Sequence, residues 1–146
     1  MKKTLICLRG APGSGKTTLA KELQKGFTKN EGATAHWEAD MYFTSEDGTY
    51  KFDPKLLPVA HEWCRNKVRD SLKNCPLVIV SNTSIRRSDV EAYKEIAKEA
   101  GAEFKVFLVV GNFQNVHKVL DEKVREMRRK YEEYPGEGKY YRGGGK

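Results

Sequence analysis

The chain lacks several features that mark whole classes of protein. Its 146 residues contain no apolar run long enough to span a bilayer, and the N-terminus shows neither the apolar stretch nor the cleavage site of a secretion signal. The three cysteines, Cys7, Cys64 and Cys75, do not have metal-binding spacing. No internal repeat is present. We therefore expect an intracellular, cytoplasmic protein with no membrane partner, whose thiols are free and largely buried.

Acidic residues are scarce near the N-terminus, where residues 1–30 carry seven basic groups and one acidic group. Residues 31–116 carry eleven basic and thirteen acidic groups, and residues 117–146 carry nine and six. The net charge of +7 is thus concentrated in the first and last segments. This distribution suits an anionic ligand larger than a lone nucleotide, such as single-stranded nucleic acid, and equally a solvated basic surface.

The sequence does contain the phosphate-binding loop pattern G-x-x-x-x-G-K-[ST], in residues 10–17. An apolar run precedes it and a helix-like run follows, which is the strand–loop–helix setting of this motif. Glycines allow backbone N–H groups to approach phosphate oxygens, and the helix dipole favours the same anion. Lys16, expected to face solvent in the empty protein, supplies a cation, and the Thr17 hydroxyl is placed to ligate Mg²⁺. The predicted nucleotide-binding residues are Gly10, Ala11, Pro12, Gly13, Ser14, Gly15, Lys16, Thr17 and Thr18.

Apolar runs alternate with helix-period stretches, which indicates an α/β fold. Strands are predicted near residues 4–8, 34–38, 77–80 and 104–110, and helices near 16–29, 53–73, 88–100 and 120–133, with a loop over 41–52. Asp53 before a proline marks one helix start, Ser88 with Glu91 forms a capping box at another, and Gly101 ends that helix. The predicted domain spans residues 1–133, and the Gly- and Tyr-rich residues 134–146 are predicted to form a flexible basic tail.

Polar residues follow two further predicted strands at their carboxyl ends, where parallel sheets bind ligands. Asp40 follows the second strand, and a carboxylate there can accept the proton of an attacking hydroxyl or help to hold a metal. A turn or capping aspartate is the alternative. Asn82 and Thr83 follow the third strand and offer neutral hydrogen bonds to a substrate. Because no carboxylate stands there, metal binding is expected to depend on Thr17, water and Asp40.

Two groups of arginines are candidates for contact with phosphate. Arg86 and Arg87 precede the third helix and either contact substrate phosphate or are exposed charges. Arg125, Arg128 and Arg129 share one flank of the last helix, because residues three and four apart are neighbours. They either reach across a bound triphosphate or form a solvated basic face. The candidate catalytic residues are Lys16, Asp40, Arg125, Arg128 and Arg129.

Several blocks of sequence, taken in order, resemble a family of small P-loop kinases. These blocks lie at residues 10–18, 38–43, 47–52, 60–64, 78–83 and 115–117. The set is similar to the phage and bacterial AAA-type ATPases that are related to the kinase domain of bacteriophage polynucleotide kinase, and to the kinase-like domain of NEDD-type ligase-binding proteins.

The resemblance implies a three-layer P-loop fold with a parallel sheet of strand order 2-3-1-4 and helices on both faces. It implies ATP and Mg²⁺, with the γ-phosphate moved to a hydroxyl, in particular a nucleic-acid or nucleotide 5′-OH. Asp40 falls where polynucleotide kinases carry the general base, and Lys16 and Thr17 fall on the lysine and hydroxyl of the phosphate loop. We expect a monomer.

Two positions depart from the polynucleotide kinase pattern. Phe43 stands where those kinases have an arginine, three residues after the base, and residues 111–115, at the position of the lid, contain no arginine. Recognition of substrate phosphate and stabilisation of the transition state are the functions affected. Two alternatives remain open, a kinase of a small metabolite and a nucleotide-binding module with weak ATPase activity.

Overall fold

A five-stranded parallel sheet in the order β2-β3-β1-β4-β5 forms the centre of the molecule. The computed structural model describes residues 2–11, 13–28, 32–84, 86–110 and 130–141. The predicted order of the first four strands is confirmed, and a fifth strand extends the sheet beyond β4. The strands are β1 (Thr4–Arg9), β2 (Thr34–Trp37), β3 (Leu77–Ser81), β4 (Glu103–Val110) and β5 (Gly138–Tyr141).

Both faces of the sheet are covered by helices, because successive residues of a buried strand point to opposite sides. Helix α1 (Lys16–Thr28) lies on one face, where Leu19 packs in a cluster with Leu8 and Ile79. Helices α2 (Leu57–Leu72) and α3 (Arg87–Ala100) cover the other face. Their buried residues pack against the inward residues of β1, β3 and β4; among them are Leu5, Cys7, Cys64, Val68, Val78, Val80, Val90, Ile96 and Val106.

The helix ends follow the capping chemistry in part. The Asp53 carboxylate accepts a hydrogen bond of 3.0 Å from the Lys55 N–H, and the chain then runs through a short 3₁₀ helix (Pro54–Leu56) into α2. Gly101 ends α3 with a φ of 69°, as predicted. The predicted capping box of Ser88 is wrong, because the N-cap lies two residues earlier, at Arg86, whose N–H donates to the Asp89 carboxylate at 3.1 Å. Among the described residues, no helix is long and apolar enough to cross a membrane.

The three cysteines are free thiols, two of them in the core. Cys7 in β1 and Cys64 in α2 are fully buried, and Cys75 is partly exposed. Burial raises the pKa of Cys7 to about 12 and also raises the pKa of Cys64. Neither buried thiol is therefore a reactive thiolate at neutral pH, which agrees with the structural role that was expected.

The segment from residue 134 differs from the flexible tail that its composition suggests. Tyr134 is buried, and Gly138 starts β5, which pairs with β4 from Phe107 onward. A Cβ at Gly138 would lie 2.7 Å from the Phe107 ring, so the glycine permits this close pairing. Residue Lys130 is helical and residues 131–134 are not, so the last helix ends before Glu133. Residues 142–146 and residues 111–129, which include most of the predicted helix, lie outside the described residues.

Candidate functional site

The phosphate loop connects β1 to α1 in backbone conformations that only glycine adopts easily. Gly10, Gly13 and Gly15 have φ values of 153°, 78° and 99°. A Cβ at Gly10 would lie 2.6 Å from the Val109 carbonyl oxygen and 2.7 Å from the Ser14 hydroxyl oxygen. The glycines of the motif are thus required by the local geometry.

The hydroxyl of Ser14 has no hydrogen-bond partner among the described residues, although it is buried. A buried polar atom is ordinarily satisfied, and leaving one unpaired costs free energy. Its position inside a glycine-rich loop, where backbone N–H groups form an anion-binding concavity, fits a phosphate oxygen as the missing partner. Ala11 is partly buried and Thr18 is exposed, and Pro12 lies outside the described residues.

The Lys16 side chain is folded back onto the loop and does not face solvent, so that prediction is wrong. Its ammonium donates to the carbonyl oxygens of Gly10, at 2.8 Å, and Ala11, at 3.0 Å. Burial lowers the pKa of Lys16 to about 8, and the nearby carboxylates of Glu38 and Asp40 offset part of that shift. The ammonium is thus mostly charged at neutral pH and lies close to two carboxylates.

Glu38, which the sequence analysis did not single out, is the carboxylate that reaches the phosphate loop. The Thr17 hydroxyl donates to Glu38 Oε1 at 2.7 Å, and His36 Nε2 lies 3.4 Å from the same oxygen and 2.6 Å from Ser81 Oγ. Burial lowers the pKa of His36, which favours the neutral ring. The extended backbone continues one residue past β2 to Glu38, so side-chain alternation places residues 36 and 38 on the same side, which was the signal available in the sequence. Glu38, and not Asp40, is therefore the partner of Thr17.

Asp40 lies in a 3₁₀ helix (Ala39–Phe43) that follows β2 at the carboxyl edge of the sheet. Its Oδ1 accepts a hydrogen bond of 3.3 Å from the Tyr50 hydroxyl. Burial and the neighbouring Asp40 raise the pKa of Tyr50 to about 12, so the phenol keeps its proton and remains a donor. The structure thus places Asp40 near Lys16 with a side chain that is only partly buried.

Asn82 and Thr83, the site residues predicted after β3, hydrogen-bond to backbone N–H groups of neighbouring segments of the site. Asn82 Oδ1 accepts from the Ala39 N–H at 2.9 Å and so anchors the 3₁₀ helix that carries Asp40. The Thr83 carbonyl accepts from the Gly10 N–H at 3.4 Å, which ties this turn to the phosphate loop. Asn82 therefore positions the segment that carries Asp40, and its predicted contact with a substrate stays a prediction.

The two groups of candidate arginines have different outcomes. Arg86 is exposed just before α3. The Arg87 Nε–H donates to the Glu133 carbonyl at 2.7 Å, so this side chain contacts the C-terminal segment, and its predicted contact with substrate phosphate stays a prediction. Arg125, Arg128 and Arg129 lie outside the described residues, and their proposed role stays a prediction.

Arg9, directly before the phosphate loop, is fully buried and was not expected to matter. Its guanidinium donates to the carbonyls of Ser84, at 2.8 Å, and Glu132, at 2.7 Å, and pairs with Glu137 Oε1 at 2.9 Å. The guanidinium carbon also lies 4.3 Å from the centre of the Tyr131 ring. Arg9 thus joins the end of β1, the turn after β3 and the C-terminal segment.

The chain is similar in sequence to a known protein over most of its own length. A human protein, NEDD4-binding protein 2, is 31% identical over 140 residues, which cover 89% of this chain and 8% of that protein. The chain therefore spans only a small part of that relative.

Solved structures share the fold at lower identity. The APS kinase CysC of Mycobacterium tuberculosis, solved with AMPPNP and APS, superposes with a TM-score of 0.68 at 14% identity, covering 96% of this chain and 88% of the kinase. A chain of the Pnkp1/Rnl/Hen1 RNA repair complex gives a TM-score of 0.58 at 20% identity, covering 92% of this chain and 41% of its own. Residues 5–133 also match the family model described as an AAA domain. Because that match includes the phosphate loop and four of the five strands, the chain belongs to the AAA domain family.

Proposed function

We propose that the protein is an ATP-dependent phosphotransferase that moves the γ-phosphate to a hydroxyl, with a nucleic-acid or nucleotide 5′-OH as acceptor. The observation that carries this proposal is the phosphate loop with a separate carboxylate, Asp40, near Lys16 at the same edge of the sheet. Two proteins of similar fold support it by what they contain, a kinase with AMPPNP and a component of an RNA repair complex.

The two carboxylates after β2, Glu38 and Asp40, have different roles in this proposal. Asp40 acts as general base on the acceptor hydroxyl, because its side chain is partly exposed in the 3₁₀ helix at the carboxyl edge of the sheet. Glu38 and Thr17 together offer the hard oxygen donors that Mg²⁺ prefers, so they would hold the metal. When bound, Mg²⁺ neutralises charge on the phosphates. Lys16 and the Ser14 hydroxyl bind the phosphate oxygens.

A nucleotide-binding module with weak ATPase activity is the second candidate. Phe43, at the position where polynucleotide kinases carry an arginine, is buried in the core and packs edge-on against Phe52 with ring centres 5.1 Å apart. That position therefore supplies no cation to a substrate phosphate. Residues 111–115, at the position of the lid, contain no arginine either. An arginine that stabilises the transition state is worth roughly 10³–10⁵-fold in rate, so transfer without one would be slow.

Incubation with γ-labelled ATP and a panel of acceptors separates these functions. The panel contains 5′-OH DNA, 5′-OH RNA, nucleosides and a metabolite mixture. We expect label on the nucleic-acid or nucleoside hydroxyl, and we expect Asp40→Asn to lose transfer by roughly 10²–10⁴-fold with ATP affinity unchanged. Glu46→Gln, in the exposed turn nearby, is the matched control and should transfer normally. Wild-type transfer by Asp40→Asn would make Asp40 a structural residue.

A further inference from the structure

Two exposed aromatic rings lie beside the proposed general base. Tyr50 and Phe52 are stacked almost parallel, with ring centres 6.5 Å apart and an interplanar angle of 10°. Their residues are 40% and 48% exposed, although large apolar side chains are usually buried in a single domain. The Tyr50 hydroxyl bonds to Asp40, so one ring of the pair touches the carboxylate at which the acceptor hydroxyl would react.

The surrounding loop holds these rings in place. A bridge pairs Thr44 with Tyr50, and the Lys51 N–H donates to the Phe43 carbonyl at 2.9 Å. Within the turn, the Asp47 carboxylate accepts from the Ser45 hydroxyl at 2.5 Å and from the Thr49 N–H at 3.0 Å. The rings are thus presented by an ordered backbone, and little ordering entropy remains to be lost when a ligand binds.

The chemistry of this surface favours a planar ligand that carries negative charge nearby. The rings offer faces on which any nucleobase can stack. Lys55, three residues after Phe52 in sequence, is an exposed cation of the kind that contacts phosphate. A hydroxyl on a sugar attached to a stacked base would lie close to Asp40, because the platform includes the residue that hydrogen-bonds it.

We propose that Tyr50 and Phe52 form a stacking platform for the nucleobase next to the acceptor hydroxyl. The inference rests on the proposed function, since it places the acceptor of that reaction. The nucleobase can belong to a free nucleoside or to the 5′-terminal nucleotide of a single strand, and the two sources share the same stacking chemistry.

Binding without ATP turnover tests the platform directly. A fluorescently labelled 5′-OH single strand is titrated with protein and its anisotropy measured, next to a strand of equal length whose 5′-terminal sugar lacks the base. Free nucleosides are then tested as competitors. Wild-type protein should prefer the complete strand. Phe52→Ala should weaken that binding by roughly 5- to 150-fold, the range of alanine substitutions at base–aromatic contacts, and should not change binding of the strand without the base.

Matched variants separate stacking from loss of fold. Phe52→Leu keeps apolar volume for packing on Phe43 and removes the aromatic face, so binding should still weaken. Tyr140→Ala removes an exposed tyrosine on β5, at the opposite edge of the sheet from β2, and should have no effect. Wild-type affinity in both Phe52 variants, or equal wild-type affinity for the two strands, would overturn the proposal.

The experiments can contradict the stacking platform without contradicting the proposed phosphate transfer, and the reverse is also possible. If the wild-type protein transfers phosphate to a 5′-OH and the Phe52 variants keep the wild-type KM for that acceptor, the platform is wrong and the reaction stands. If base-dependent binding is present and no transfer occurs, the reaction is wrong and the platform stands. Competition by free nucleosides at concentrations comparable to the strand would identify a nucleoside as the acceptor, and its absence would identify the strand.

Discussion

The phosphate loop and the C-terminal segment, residues 130–141, both meet the carboxyl end of β1, but they are held there by different kinds of interaction. In the loop, three glycines take up positive φ values, and the Lys16 ammonium bonds to carbonyls five and six residues away. The C-terminal segment is held by Arg9, whose ion pair with Glu137 joins residues 128 positions apart.

The difference shows why one region could be recognised and the other could not. A glycine-rich loop is specified by a short run of residues whose conformations are local, so its sequence pattern is sufficient. The Arg9 contacts depend on three segments that are distant in the chain, and each alone has an ordinary composition. A buried cation that gathers a carboxylate, two carbonyls and a tyrosine ring is visible only once those segments meet.

The largest expected effect comes from breaking the buried ion pair. Glu137→Gln removes the charge that faces Arg9 and leaves that guanidinium buried with only carbonyl partners. The side chains of Arg9 and Glu137 are 0% and 2% exposed, so solvent does not screen the loss. Removing one partner of a buried pair costs roughly 3–5 kcal/mol, and we expect the free energy of unfolding in urea to fall by about that amount.

An exposed ion pair in the same segment provides the control. Lys139 and Glu133 lie 3.8 Å apart with side chains that are 50% and 67% exposed. Lys139→Met should change the free energy of unfolding by less than about 1 kcal/mol, as is usual for surface pairs. Equal effects of Glu137→Gln and Lys139→Met would mean that burial of Arg9 adds nothing and that the segment is held by β5 pairing alone.

We expect the affinity for ATP to fall as pH rises, because the Lys16 ammonium of the phosphate loop loses its proton. The pKa of Lys16 is lowered to about 8 by burial, so its ammonium loses its proton as pH rises through that value. If the neutral amine does not bind phosphate, affinity falls tenfold per pH unit above about 8, which amounts to about 25-fold between pH 7.5 and 9.5. Calorimetric titration with ATP at both pH values measures the change.

Lys16→Ala is the matched control, because it removes the titrating group. Its affinity for ATP should be weaker at pH 7.5 and should vary little up to pH 9.5. The same pKa shift also affects stability. The unfolded lysine, with an ordinary pKa of 10.5, binds more protons than the folded one between pH 8 and 10.5, so this residue makes the free energy of unfolding rise with pH in that window. Wild-type affinity that stays constant to pH 9.5 would contradict the assignment of Lys16 to the phosphates.

Much of the fold and the outline of the site could be predicted from the sequence. Buried strands such as β3 and the loop glycines are encoded by runs of neighbouring residues. The start of α3 could not be predicted as well, because Ser88 suits an N-cap by residue type, whereas the N-cap in the structure is Arg86, a residue type that does not mark helix starts. The tail was misread for a similar reason. Gly138 looks like a flexible residue in sequence, and it is in fact the small residue that lets β5 approach Phe107.

Glu38 shows the same limit within the site. In the sequence it is one of two carboxylates after a strand, and the resemblance drew attention to Asp40. Its bond to Thr17 depends on β2 and α1 lying side by side, a tertiary fact. Lys16 was misplaced because burial of its ammonium against the loop carbonyls is also a tertiary effect.

The smallest expected effect concerns the Asp53 cap. It tests whether a contact that is easy to predict from the sequence also contributes much to the free energy of unfolding. Asp53 is a local contact that the sequence predicts well, and it caps the helical segment through the Lys55 N–H. Asp53→Ala should lower the free energy of unfolding in urea by about 1 kcal/mol, within a usual range of roughly 0.5–2 kcal/mol for such caps. Asp53→Asn keeps the acceptor, so its free energy of unfolding should remain near that of the wild type.

If Asp53→Ala lowers the free energy of unfolding as much as Glu137→Gln does, the local contact is as important to stability as the non-local one. If Asp53→Ala lowers it by about a quarter as much, the Asp53 cap contributes less to stability than the Arg9–Glu137 ion pair, although the cap was the easier contact to predict. The physical reason is that water can hydrogen-bond to the backbone at a partly exposed cap, whereas water does not reach a buried guanidinium that has lost its carboxylate.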